Sequence, residues 1–292
     1  VSGSVRPPAG VGELPAYDGG WLTGGKRPAP FLSFVGDEAE VNWSDQLEEL
    51  HEESSRSHFM DQWTRRSMLE RAAIGERDVV LDLGCSTGYL LEDLSRVHPG
   101  STLLGIDLVG AGLIKAHEHV PDAHLLRADA CDLPLRDSSV DSVLSANLLE
   151  HVPDDRGALR EIARVLRPGR RAAVVVPAGP HNYDYYDRFL GHERRYARGE
   201  LAAKGRAAGL RVLEDAYLGS LIYPAFWLVK QRNRRQRGHL HGDALAEQVS
   251  RDMTTTNDSQ VGRLTTTLER LMLHRGLRVP FGIRNLVVFE AC

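Results

Sequence analysis

Apolar positions along this chain fall into short runs separated by amphipathic segments, the alternation that builds a parallel sheet covered by helices. Val79, Val80 and Leu81 form one β-branched run. The Gly84, Ser86 and Gly88 cluster then opens a stretch to Val97 at helical spacing, so the reading is strand, tight turn, helix. Residues 103–107 make a second apolar strand, 124–129 a third and 140–147 a fourth. A helix over 156–166, a turn at Arg167-Pro168-Gly169 and a fifth strand at 172–176 follow. A helix over 198–208, a sixth strand at 210–217 and a last strand at 281–290 complete the pattern. About sixty residues separate the last two strands, far more than a hairpin needs, so the stretch 220–279 reads as an inserted helical cap. It runs from an apolar helix at 221–229 through a basic cluster at 230–237 and a polar region at 239–260 to an amphipathic helix at 261–274.

Ahead of the first strand the pattern changes twice. Residues 1–43 are rich in Gly and Pro and have no periodicity, so they are expected to have no regular structure. Tyr17, Trp21, Phe31 and Phe34 could dock this arm on the body or on a neighbouring subunit, but its composition favours a loose tail. From Ser44, apolar residues including Leu47, Leu50, Phe59, Trp63 and Met68 recur at helical spacing amid charges, with a break over 53–57. Residues 44–76 therefore read as a helical lid, residues 77–219 as the core and residues 280–292 as its last strand.

Composition narrows the class. The chain has 292 residues, 42% hydrophobic and 26% charged, which is ordinary for a globular protein with one substantial core. A formal net charge of −4 argues against a nucleic-acid partner. Cys85, Cys131 and Cys292 have no disulfide or zinc spacing, which fits a reducing cytoplasm. No apolar run approaches the ~20 residues of a membrane span, and the N-terminal stretch has no signal-peptide pattern. An apolar helix followed by basic residues could still touch a membrane surface, though a lid with a solvated basic tail is the commoner use. An exposed apolar cap could equally bury itself in a homodimer.

The chemistry centres on the glycine turn. Glycines there allow positive φ and close backbone approach, so N–H groups and the following helix N-terminus can face a nucleotide-like ligand. A dinucleotide fingerprint would read G-x-G-x-x-G, but Ser86 occupies the middle position and no glycine lies three residues past Gly88. Leu81-Asp82-Leu83-Gly84-Cys85-Ser86-Thr87-Gly88 instead resembles motif I of the class I S-adenosylmethionine (SAM)-dependent methyltransferases, an acid followed by G-x-G-x-G, with Ser86 as the departure. The resemblance continues in Asp107 at the end of the second strand, in Asp129-Ala130-Cys131 after the third, and in Leu148 to Asp154 after the fourth.

That resemblance implies an α/β fold: a doubly wound, mostly parallel seven-stranded sheet with an N-terminal helical lid and a cap before the last strand. It implies SAM as cofactor, held by Asp82, Gly84, Cys85, Ser86 and Gly88. Asp107 would lie at the ribose and Asp129 at the adenine, with Leu108, Ala130, Asn147 and Leu148 as further cofactor-binding candidates. The segment 58–66 looks like an aromatic-then-arginine stretch ahead of motif I in one bacterial subgroup, and Arg65 or Arg66 could pair with the methionine carboxylate, with a solvated helix face the equal alternative for either. Gly191-His192-Glu193-Arg194-Arg195-Tyr196 resembles a G-H-x-R-R-Y signature of the same subgroup.

The loop over 177–196 is dense in His, Tyr, Asp and Arg, and is expected to hold a small-molecule acceptor. His192 and His181 are the proton-acceptor candidates by chemistry, with His151 behind them. A purely structural role for His192, Arg194 and Arg195 is an equal alternative. No H-E-x-x-H or clustered cysteines occur, so no metal is expected. The implied reaction is in-line displacement of the SAM methyl by an O, N or C nucleophile of a small molecule, in bacterial secondary or cell-envelope metabolism. A short-chain oxidoreductase is disfavoured because no tyrosine has a lysine four positions later. The remaining alternative is a binding or cyclisation module that keeps the fold while methyl transfer is lost or secondary.

Overall fold

A computed structural model describes residues 1, 3–8, 12–24, 27–36, 56–237, 244–245, 248–249 and 260–292. The expected helix start at Ser44, its break over 53–57 (except residues 56–57) and most of the polar region 239–260 lie outside the described residues. Chain order gives β1 (Leu32–Ser33), α1 (Phe59–Leu69), β2 (Val79–Leu83), α2 (Tyr89–Val97), β3 (Thr102–Asp107) and α3 (Gly110–His119). Next come β4 (His124–Arg127), β5 (Val140–Ala146), α4 (Asp155–Val165), β6 (Leu166–Pro177), α5 (Tyr185–Phe189) and α6 (Glu200–Ala207). The last elements are β7 (Leu210–Leu218), α7 (Tyr223–Arg237), α8 (Gln260–His274) and β8 (Arg284–Ala291).

The strands form one sheet in the order β1-β4-β3-β2-β5-β6-β8-β7, parallel except for β8, which is antiparallel to both neighbours. Successive β2 residues feed opposite layers: Leu81 and Leu83 join the core on one face, Val80 the core on the other. Burial on both faces explains why β2, β5 and the end of β6 read as apolar runs rather than as alternation. The order reverses between β2 and β3 on one side and β5 on the other, so the carboxyl ends of these strands flank a crevice.

Four expectations need correction. The sheet has eight described strands rather than seven, because the N-terminal arm contributes β1 beside β4. Nor is the arm a loose tail where it is described. Trp21 is 1% exposed and donates its indole N–H to the Leu125 carbonyl at 2.9 Å. Tyr17 stacks on His124 with centroids 4.1 Å apart, and Phe31 and Phe34 pack against the two core layers. Burial of the aromatics, rather than backbone periodicity, fixes the arm, which is why composition hid it.

The turn at Arg167-Pro168-Gly169 lies inside β6. Leu166 pairs with Val140 and Arg171 with Ser142, so the intervening residues form an irregularity between two registers, with Gly169 at φ +76°. Arg167 and Arg170 hold the buried Asp141 carboxylate there, at 2.6 and 3.0 Å.

The expected apolar helix with a solvated basic tail is also reorganised. The basic cluster belongs to α7, whose buried residue is Lys230, whereas Leu228 and Val229 are exposed. Helix α8 packs on α1: Gly262 sits so near Phe59 that a Cβ there would lie 2.7 Å from the ring. No helix among the described residues is long and apolar enough to cross a membrane.

Candidate functional site at the carboxyl ends of the strands

The turn after β2 is built from left-handed residues: Gly84 at φ +81°, Ser86 at +44° and Gly88 at +83°. The position where motif I usually has its middle glycine thus demands a conformation that L side chains seldom adopt, and Ser86 tolerates it. Gly84 and Cys85 donate their N–H groups to the Ile106 carbonyl at 2.8 and 3.2 Å, which ties the turn to β3. Gly88 caps α2, and a Cβ there would meet Ala116 of α3 at 2.9 Å, so this glycine permits close packing of α2 on α3. A Cβ on Gly84 would meet the Leu148 side chain, also at 2.9 Å, which places the turn after β5 directly across the glycine turn.

Asp107 closes β3 beside this turn. Its Oδ2 accepts the Ser86 N–H at 2.8 Å and its Oδ1 the Val109 N–H at 2.9 Å. Two backbone donors therefore orient a carboxylate that can accept about four hydrogen bonds in all. Leu108 turns its carbonyl to the Arg127 guanidinium at 3.0 Å.

Asp82 is 2% exposed, and its Oδ2 has no hydrogen-bond partner among the described residues. Burial, with the Asp107 charge beside it, pushes its carboxyl up to about 8, and Arg65 opposes this. Arg65 itself pairs with Asp93 at 2.7 Å, so a carboxylate ligand would have to share it. Asp129 folds its own loop by accepting the Cys131 N–H at 2.8 Å, and Ala130 beside it is buried. Asn147 has φ +53° and donates its N–H to the Val175 carbonyl, so it turns the chain sharply at the end of β5.

An orphaned buried acid, a left-handed turn and an oriented carboxylate at adjoining strand ends are what a nucleoside with a charged tail requires, and these residues fit SAM. Asp107 would hold the ribose, the Gly84–Gly88 turn would admit the methionine portion, and Asp129 and Ala130 would flank the base.

The acceptor-side histidines separate. His151 and His192 come together edge to face, with ring centroids 4.7 Å apart. His181 instead shares a hydrogen bond of 2.8 Å with the Tyr223 hydroxyl at the start of α7. His192 Nδ1 lies 2.8 Å from Asp187 Oδ1, which also accepts from Arg195 Nε at 2.7 Å. Burial alone would raise the Asp187 carboxyl, but the hydrogen bond from His192 and the charges of Arg195 and Lys230 hold it well below the usual carboxylate range. Lys230 reaches Asp184 at 2.7 Å, and burial lowers its ammonium.

The stretch Gly191–Tyr196 is strapped to the turn after β5. Glu193 N–H donates to the Glu150 carbonyl, Arg194 to the Val152 and Pro153 carbonyls, and Tyr196 Oη to Leu149 and to Asp155. Arg194, Arg195 and Tyr196 are thus positioning residues, and they set His192 beside His151.

Sequence reasoning missed a third residue, Glu150, whose carboxylate lies within 4.8 Å of a ring nitrogen of each. Glu150 is fully buried, and neither of its carboxylate oxygens has a hydrogen-bond partner among the described residues. Burial pushes it up to about 7 against the opposing charges of His192, Arg284 and Arg195. One signal was available: an acid next to a histidine, directly after Leu148-Leu149, at the end of a buried strand.

Comparison with known proteins agrees with this geometry. Residues 81–174 match a methyltransferase domain model. The chain is 28% identical over 242 residues to the O-methyltransferase resE of Aspergillus sclerotiorum, covering 75% of this chain and 87% of that one. It is 32% identical over 124 residues to a demethylmenaquinone methyltransferase of Corynebacterium urealyticum, covering 42% and 52%. The chain spans only 41%, 59% and 52% of the length of three of the curated relatives it matches. Among solved structures, Haemonchus contortus phosphoethanolamine N-methyltransferase 2 in complex with SAM superposes with a TM-score of 0.57 at 16% identity, covering 85% of this chain and 57% of that one. Similarity at that level speaks for the fold, and the domain match and the curated relatives supply the rest. Residues 81–174 thus match a methyltransferase domain, and together with these relatives they support a class I S-adenosylmethionine-dependent methyltransferase.

Proposed function

We propose that this protein methylates a hydroxyl, or the carbon beside an enolic hydroxyl, of a small hydroxylated ring compound in biosynthesis. SAM, when bound, supplies an electrophilic methyl group on a sulfonium centre. The chain's part is to hold the acceptor in line with that methyl and to ease loss of the acceptor's proton, since a neutral hydroxyl is a poor nucleophile. One observation carries the reading: Leu148, which packs over Gly84 of the cofactor turn, is two residues from Glu150 and three from His151. The proton-handling groups therefore belong to the same turn that faces the glycine loop.

Curated relatives that include an O-methyltransferase and a demethylmenaquinone methyltransferase favour oxygen or ring carbon over amine nitrogen. The exposed start of α7, with Trp227 44% exposed near the Tyr223–His181 contact, favours an apolar acceptor body.

The test is calorimetric binding of SAM and S-adenosylhomocysteine, followed by a product-release assay on phenols, hydroquinones and aliphatic amines. Binding of both nucleosides with turnover confined to the hydroxylated rings supports the proposal. Binding without turnover on any acceptor would favour a module that has kept the fold and lost the transfer. Turnover on amines alone would overturn the choice of acceptor.

A further inference from the structure

Glu150, His151 and His192 each offer one ligand atom, and the three atoms lie within 4.8 Å of one another. The donors come from two loops distant in sequence, the turn after β5 and the strap at 191–196, which is why no short motif announces them. We propose that these three side chains bind one divalent transition-metal cation of the zinc class, with a further coordination position left for the acceptor oxygen.

Charge accounting supports a cation. Asp187 is paired with Arg195, Asp184 with Lys230 and Arg284 with Asp61. Unlike Asp187 and Asp184, the buried Glu150 carboxylate has no hydrogen-bond partner among the described residues, and a buried carboxylate without one is costly. The donor set of two imidazoles and a carboxylate is the one that catalytic zinc sites use when they keep a position open.

The outer contacts also fit. His192 Nδ1 faces the Asp187 carboxylate at 2.8 Å, so the ring donates there and presents Nε2 as its lone pair, the carboxylate–histidine–metal arrangement that fixes a ligand's tautomer. In a tetrahedral site, ligand atoms about 2.05 Å from the ion stand roughly 3.3 Å apart, so atoms that lie within 4.8 Å of one another would close by up to about 1.5 Å.

The ion's role rests on the methyl-transfer reading; the site itself does not. An acceptor hydroxyl in the open position loses its proton to solvent more readily, and the O–H electron pair remains on oxygen to form the bond to the methyl carbon. The carbon–sulfur pair then stays on sulfur. With the ion in place His192 is a ligand, and the proton does not pass to it.

The experiment uses full-length protein stripped with a chelator and dialysed against zinc or cobalt(II), with metal content, binding heat and the cobalt visible spectrum as readouts. We expect one equivalent per chain, four- or five-coordinate cobalt bands, and about tenfold or greater weakening in Glu150→Gln and in His192→Asn. His98→Ala, a histidine outside the cluster, should bind as wild type does. If Glu150→Gln does not fold, His151→Asn carries the same comparison. Retention of much less than one equivalent by wild type, or affinity unchanged in the folded variants, would overturn the proposal. SAM binding is measured on the same samples: its absence would count against the methyltransferase reading, and its presence without metal uptake against the metal site alone.

Discussion

Ser86 donates its backbone N–H to Asp107 Oδ2 at 2.8 Å, so the residue that departs from the usual glycine is hydrogen-bonded to the acid that ends the next strand. The glycine turn and the ribose candidate are one unit. A change in either should be felt at the other, because the carboxylate orients the turn and the turn fixes the carboxylate.

Replacement of Asp107 tests that unit directly. Asp107→Ala removes a charged acceptor of two backbone N–H groups and of the expected ribose hydroxyls. Hydrogen bonds to charged groups contribute about 1.5–3 kcal/mol each, so SAM affinity should fall at least tenfold by calorimetry. Affinity within twofold of wild type would show that the ribose lies elsewhere.

Ser86 at φ +44° should accept glycine and reject a β-branched residue. Ser86→Gly relieves a left-handed strain and should leave SAM affinity within about twofold, whereas Ser86→Val should lower stability by about 1–3 kcal/mol. Urea unfolding of the two variants checks this, and equal stabilities would count against the left-handed turn.

Asp82 gives a pH dependence with a definite sign. Its folded value, raised to about 8 by burial and Asp107, lies above the unfolded value, so the folded state binds the proton more tightly. The stabilisation is fully present below the unfolded value and is lost as pH rises towards and through about 8. Relative to Asp82→Asn, wild type should lose on the order of 1.4 kcal/mol per pH unit across that window. Parallel stability curves for the two proteins from pH 5 to 8 would refute the assignment.

The arm should behave as part of the core. Trp21→Ala removes a buried indole and its hydrogen bond to β4, and should cost about 3–5 kcal/mol in urea unfolding. A change below ~0.5 kcal/mol would mean that the arm is dispensable in solution.

His192→Ala should lower turnover by at least about 100-fold, the usual reach of an acid–base or ligating group, while SAM affinity stays within about twofold. Parallel losses in turnover, SAM affinity and melting temperature would assign the Asp187–His192 contact to loop structure alone. Asp187→Ala differs in kind. It leaves Arg195 without its buried counterion and should cost about 3–5 kcal/mol of stability.

Much of this molecule was written locally. The runs at 79–83, 102–107, 140–146 and 172–177 are apolar because both faces of each strand are buried, and that pattern marks them as strands, while their order in the sheet came from the resemblance. The positive φ values at Gly84 and Gly88 and the acid ending β3 follow equally from nearest neighbours, so the cofactor half was legible as a motif.

The acceptor half was not, because its contacts join residues far apart in the chain. The neighbouring histidine and the buried strand before it are the local signal for Glu150; that its carboxylate has no hydrogen-bond partner among the described residues emerges only when the strap at 191–196 folds onto 149–153 and brings His192 beside it. Lys230 reads as one of a row of solvated bases until Asp184 and Asp187 meet it across α5 and α7. The arm gave no period at all, since its order comes from Trp21, Tyr17, Phe31 and Phe34 finding places on a sheet that other residues build. Short-range sterics and hydropathy set the strands and the glycine turn. Which charges are compensated, and which acid is left to seek a cation, depends on long-range packing and was decided only in three dimensions.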